Sequence, residues 1–106
     1  MDRDSFFIAQ KPKTIDIALD DGRIVKARKL TQAEVETIRK SYAASESTAL
    51  AGFRFIVCRC VVDDEGNRVF TDADQNKLVE LDFDTIQTIA SEVVEFSGLN
   101  KNQKKA

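Results

Sequence analysis

Hydrophobic and polar positions change period several times along the chain, and each change marks an element. Ile15, Ile17 and Leu19 alternate with polar or small residues, the period of a half-buried strand. Asp20-Asp21-Gly22 supplies a turn, so residues 14–29 are predicted as a β-hairpin. A two-residue turn at Asp21-Gly22 sets Ile17 opposite Lys26 and Ile15 opposite Arg28. A three-residue loop from Asp20 to Gly22 sets Ile17 opposite Val25 and Ile15 opposite Ala27, which collects the apolar side chains on one face. It also gives Gly22 the left-handed position of a G1 bulge, and it is the preferred register. A lone hairpin is marginal in water, so this one is expected to lie on helices.

The period then becomes helical. From Leu30 to about Ala44 the start is well marked: Thr31 as N-cap, Glu34 at the third helical position, Leu30 and Val35 as a hydrophobic staple. Val35, Ile38 and Tyr42 share a stripe. Ser45-Glu46-Ser47-Thr48 interrupts and offers new caps. Ala49 to Val62 is the most apolar segment; Phe55-Ile56-Val57 favours β structure, while length and angular pattern favour a helix. On a helical wheel Leu50, Phe53, Ile56, Val57, Cys60 and Val61 form one stripe. Ala51, Phe55, Cys58 and Val62 form a second on the opposite side. A helix apolar on two sides needs two neighbours, one of them the core and the other either the rest of the domain or another chain.

Asp63 to Arg68 reads as a turn with Gly66 or Asn67 left-handed. Thr71 caps a short helix with Asp72 and Asp74 in its first turn and Leu78 and Leu81 as apolar anchors. A last helix begins near Asp82 or Asp84, with Phe83, Ile86, Ile89, Ala90, Val93 and Phe96 on one side and Gly98 in a Schellman cap. The expected architecture is α+β and mainly α: an N-terminal β-hairpin packed on a bundle of about four helices. The expected organisation is an arm over residues 1–13, a single domain over 14–99 and a disordered basic tail over 100–106.

Composition narrows the chemistry. In 106 residues, 42% are hydrophobic and 32% charged, with a net charge of −2. That suits one folded domain and lacks the basic excess of a nucleic-acid binder. No apolar run nears the roughly 18 residues of a membrane span, and the start at Met1-Asp2-Arg3-Asp4 is unlike a signal peptide, so a cytosol is expected. Cys58 and Cys60 are too close for an unstrained disulfide, and without histidine a zinc site is not expected. Val61 to Asp74 suggests a calcium loop at first sight. With Gly66 as the loop's obligatory sixth residue, however, the first ligand position falls on Val61, which has no oxygen to offer. No nucleophile elbow, phosphate loop or histidine base is present, so neither catalysis nor a cofactor is expected.

In this order, several segments carry a resemblance. They are the hairpin ending Asp20-Asp21-Gly22, then Leu30-Thr31-Gln32-Ala33-Glu34, and Val61-Val62-Asp63-Asp64-Glu65-Gly66. Val69-Phe70-Thr71-Asp72-Ala73-Asp74 with Leu78, and Phe96-Ser97-Gly98-Leu99-Asn100, complete the set. From about Thr14 to Leu99 the chain resembles the tail assembly chaperones of long-tailed bacteriophages. The resemblance implies a small, largely helical, non-enzymatic protein of the host cytoplasm, absent from the mature virion. Its partners would be the tape measure protein, kept soluble until the tail tube protein polymerises around it. It also implies a longer product made by ribosomal frameshifting, with which Lys104-Lys105 is compatible. Such a chaperone needs exposed apolar surface and many copies. Phe6, Phe7 and Ile8 of the arm, and the stripe Ala51, Phe55, Cys58 and Val62, are the candidate surfaces for a partner or for a homo-oligomer. The alternative with the same needs is a homo-oligomeric adaptor or regulatory subunit of another cytosolic complex.

Overall fold

The computed structural model describes residues 2–8 and 13–99, the side chains of residues 6–8 and 47 excepted. The elements run α1 (Arg3–Ile8), β1 (Thr14–Ala18), β2 (Ile24–Arg28), α2 (Gln32–Ser41), α3 (Glu46–Cys60), β3 (Val61–Val62), a 3-10 helix (Asp72–Glu80) and α4 (Phe83–Phe96).

The hairpin adopts the register that groups its apolar residues, with Ile17 opposite Val25 and Ile15 opposite Ala27. Gly22 takes φ 89°, and the Leu19 N–H donates to the Arg23 carbonyl at 2.9 Å across the loop. Ile17, Leu19 and Ala27 are buried, and Ile15 and Val25 pack beside them. Placing one apolar face on the core determined the register, since a one-residue slip would have turned that face to water.

α2 begins with the full capping box. The Glu34 N–H donates to Thr31 Oγ1 at 3.2 Å, and the Thr31 N–H donates to Glu34 Oε1 at 2.9 Å. α2 ends at Ser41, earlier than Ala44, and α3 starts at Glu46, capped by Ser45. The short connection reverses the chain and lays α2 against α3. Gly52 makes the close approach possible: a Cβ there would lie 2.9 Å from that of Tyr42.

α3 is the centre of the domain. Ile56, Val57, Cys58, Cys60 and Val61 join the core with Ile86, Ile89, Ala90 and Val93 of α4 and Leu78 of the 3-10 helix. Its last turn does not continue to Val62. Val61 and Val62 are extended and pair antiparallel with Ala27 and Lys26, completing a three-stranded sheet of order β1-β2-β3. The β-branched pair therefore ends the helix by joining the hairpin's edge, a partner that local periodicity does not reveal. Gly66 at φ 87° makes the turn that follows. Asp63 Oδ1 accepts from the amides of Glu65 and Asn67 at 2.9 and 3.0 Å, so this carboxylate is engaged in folding its own loop. Val62 and Arg68 then form a bridge that closes the turn.

Two expected anchors face outward. Leu78 is buried, but Leu81 is 46% exposed, because the 3-10 helix stops at Glu80 and Leu81 turns extended (φ −79°, ψ 159°). Phe83, the first residue of α4, is 54% exposed. α4 ends as expected, with Gly98 at φ 85° and its N–H donating to the Glu95 carbonyl at 3.0 Å. Residues 100–106, expected as a disordered tail, lie outside the described residues.

Candidate functional site

Two features stand out beyond the core: an ion network that ties four elements together, and an open apolar groove. The network is structural. Arg28 on β2 donates from Nη1 and Nη2 to the two oxygens of Glu34 at 2.9 and 2.8 Å. Arg59 Nη1 lies 3.7 Å from the same carboxylate, and its Nε lies 3.3 Å from Asp72 Oδ1. Arg68 Nη2 closes the series on Asp72 at 2.9 Å and donates to the Cys58 carbonyl at 3.1 Å. Burial pushes the Glu34 carboxyl up, but the Arg28 and Thr31 hydrogen bonds and the Arg28 charge outweigh burial and hold it below its usual range. Sheet, α2, α3 and 3-10 helix are thus connected through one alternating run of charges.

This network and its neighbours cover the stripe Ala51, Phe55, Cys58 and Val62. Phe55 is buried between the Tyr42 ring, 5.3 Å away, and the Arg59 guanidinium, 5.1 Å from its centroid. The buried Cys58 thiol donates to the Thr71 carbonyl at 3.0 Å, Val62 is buried in the sheet, and Ala51 is half-buried. Of the two neighbours this face could have had, the single chain supplies its own. The expectation of a free contact surface there is therefore corrected: α2 and the loop before the 3-10 helix fold over it. Burial also pushes the Cys58 thiol up and the Cys60 thiol to about 12, so both stay protonated and unreactive at neutral pH. In the arm, Asp2 Oδ1 accepts from the Ser5 N–H at 2.8 Å at the start of α1. The side chains of Phe6, Phe7 and Ile8 lie outside the described ones.

The open apolar surface lies elsewhere. A groove of about 120 Å³ runs between α3 and the junction of the 3-10 helix with α4. Leu50, Phe53 and Arg54 form the α3 wall; Leu78, Val79, Leu81, Phe83 and Ile86 form the other. Leu50 is 39% and Val79 60% exposed, and with Leu81 and Phe83 they make a contiguous rim. Four apolar side chains are thus left half in water at one place, rather than scattered singly over the surface. Arg54 in the α3 wall has no ion pair among the described residues, and neither do Glu80, Asp82 and Asp84, which alternate with Leu81 and Phe83. The periodic reading had assigned Leu81 and Phe83 to the core and missed Val79. The available signal was crowding: Leu78, Val79, Leu81 and Phe83 are four apolar residues in six positions, more than one short helix end can bury.

Among the described residues no group of three or more His, Cys, Asp or Glu side chains could hold a metal ion. What fold and groove together define is a small α+β domain, helices on a three-stranded antiparallel sheet, with an open apolar groove between α3 and the start of α4. No protein-family model and no curated protein matches the chain. Among solved structures it is similar to the tail assembly chaperone of bacteriophage HK97, with a TM-score of 0.65 over 79% of this chain and 84% of that one. Identity between the two is 11%, so the shared property is the fold. The structural neighbour and the resemblance carried by the residues are of the same kind of protein.

Proposed function

We propose that this protein is a non-catalytic phage tail assembly chaperone that acts in the infected cell. Its client is the tape measure protein, held soluble until tail tube subunits are recruited around it. The observation that carries this reading is the open groove rimmed by Leu50, Val79, Leu81 and Phe83 on a fold shared with a tail assembly chaperone. A long apolar helical client presents side chains at spacings of three and four, and a cleft between helices takes such a face. Arg54, with no ion pair among the described residues, puts a positive charge in the groove wall, which orients a client without solvating the floor. Burying one client Leu or Phe in the groove contributes about 1.5–3 kcal/mol, so one site is weak and several copies along a client are needed for firm capture.

Co-expression with the tape measure protein of the same phage tests this. The wild-type chain should keep the client soluble and co-purify with it. Val79→Asp and Phe83→Asp should fold, because both side chains are exposed, yet lose the client. Retention of the client by both variants would move the site away from the groove. Aggregation of the client in the presence of wild-type chain would remove the chaperone role.

A further inference from the structure

Nine residues of 3-10 helix, Asp72–Glu80, supply Leu78 and Val79 to the groove wall. Runs beyond three or four residues are uncommon, because the hydrogen bond spanning three residues is poorly aligned. Both ends show that bond. The Asp74 N–H donates to the Thr71 carbonyl at 2.9 Å, and the Leu81 N–H to the Leu78 carbonyl at 3.1 Å. Three contacts hold this over-wound pitch. Asp72 meets Arg59 and Arg68, Gln75 Nε2 donates to Tyr42 Oη at 3.3 Å, and Leu78 sits in the core. They recur every three residues, the period at which 3-10 side chains eclipse one another.

The same segment carries a second set of these groups. Asn76 follows Gln75 and Val79 follows Leu78, so an amide and an apolar side chain are each present twice, one position apart. Asp72, Asn76 and Val79 stand at i, i+4 and i+7, which is one face of an α-helix. We infer that residues 72–80 are a two-register switch. In the second, α-helical register Asn76 and Val79 replace Gln75 and Leu78 at the contacts with Tyr42 and the core, and the groove wall turns polar. This deepens the chaperone reading and rests on it only for what occupies the groove.

Helix geometry changes the wall. With Asp72 as the fixed point, Val79 lies about 120° around a 3-10 helix, on the groove side, but only about 20° from the Asp72 line in an α-helix. Lys77 comes to about 140° in the α form, on the side that Val79 vacates. The Thr71 N–H donates to Asp74 Oδ2 at 2.8 Å, a cap that starts either helix. From Asp72 to Val79 the α form is shorter by about 3.5 Å. Opening Glu80 to extended backbone recovers about 3 Å, so Leu81 and α4 keep their places. The α register gains better-aligned hydrogen bonds but exchanges a buried leucine for a valine. The 3-10 register buries the leucine and offers Val79 to the client. A client in the groove therefore favours the 3-10 register, and rewinding expels it.

Exchanging the two residues, Leu78→Val with Val79→Leu, tests the switch at constant composition. NMR separates the registers without any client. Contacts from the α-proton of residue i to the amide of i+2 mark the 3-10 form, and those to the amide of i+4 mark the α form. The free wild type should show the first set over residues 72–80, and the exchanged variant the second. Co-expressed with the tape measure protein, the variant should retain about 10-fold less client than wild type, although residue 79 is still apolar. A variant that keeps the i+2 contacts, or one that rewinds and retains client like wild type, overturns the inference. If the exchanged variant does not fold, Leu78→Val alone makes the two competing residues equal and should show both contact sets; i+2 contacts alone would then overturn it. Rewinding in the variant, with no client retained by wild type, would instead remove the chaperone reading and leave the two registers standing.

Discussion

Replacing Glu34 gives the sharpest test of how the domain is held together. Its side chain is 6% exposed and that of Arg28 15%, so the pair is largely out of water. The carboxylate accepts two bonds from Arg28 and one from the Thr31 amide, with Arg59 3.7 Å away. Removing one partner of a buried pair costs about 3–5 kcal/mol, because the other charge stays behind without compensation. Arg28 and Arg59 keep some solvent contact, which places Glu34→Ala near the lower end, about 3 kcal/mol. Glu34→Gln keeps an oxygen for the Thr31 N–H and should lose less, about 1–2 kcal/mol. Against a total of about 5–15 kcal/mol for a domain of this kind, the alanine variant loses a large fraction. Urea unfolding followed by circular dichroism should show its midpoint lowered by about 2 M, for a slope near 1.5 kcal/mol per molar. A double-mutant cycle with Arg28→Ala should show strong coupling. A loss below about 1 kcal/mol, with additive single mutants, would make this an ordinary surface pair and refute the argument. The same carboxylate sets an acid limit. Its folded pKa is depressed, so its contribution is fully present above the unfolded value of about 4.3 and is lost as pH falls through the folded one. Stability of wild type should therefore fall below about pH 4 more steeply than that of Glu34→Gln.

Further outcomes follow from individual contacts. Gly52→Ala gains helix propensity but forces its Cβ to within 2.9 Å of that of Tyr42; the net should be a destabilisation of about 1–3 kcal/mol, read as a lower melting temperature. Gly66→Ala, at φ 87° with open space around it, should lose about 1 kcal/mol through backbone strain alone. Phe55→Asp places a charge in a buried site between Tyr42 and Arg59 and should unfold the chain, seen as loss of cooperative melting. Cys58 and Cys60 are both buried, so a thiol reagent should react with neither in the native protein and with both in guanidinium.

Local chemistry settled the parts of this fold that depend on neighbours in sequence. The capping box of Thr31 and Glu34, the Asp20–Gly22 loop with its register, the turn at Gly66 and the stop at Gly98 are each determined by residues a few positions apart. The α+β class and the two-sided character of α3 were legible for the same reason, since periodicity reports how many faces need cover. Which neighbour supplies the cover was not legible. Ala51, Phe55, Cys58 and Val62 read equally as a free surface or as core. Only the approach of α2 and the loop before the 3-10 helix, drawn in by Arg59, Arg68 and Asp72, made them interior. Val61-Val62 became a strand because a hairpin edge formed 34 residues earlier in the chain, at Ala27, stood ready to pair with it. Leu81 and Phe83 turned outward because the 3-10 helix ended one residue before Leu81, and with Val79 and Leu50 they opened a groove that no single segment encodes. Short-range hydrogen bonds and steric rules are properties of the sequence itself, whereas burial is a property of pairs of segments, and the open groove is what remained when those pairings were complete.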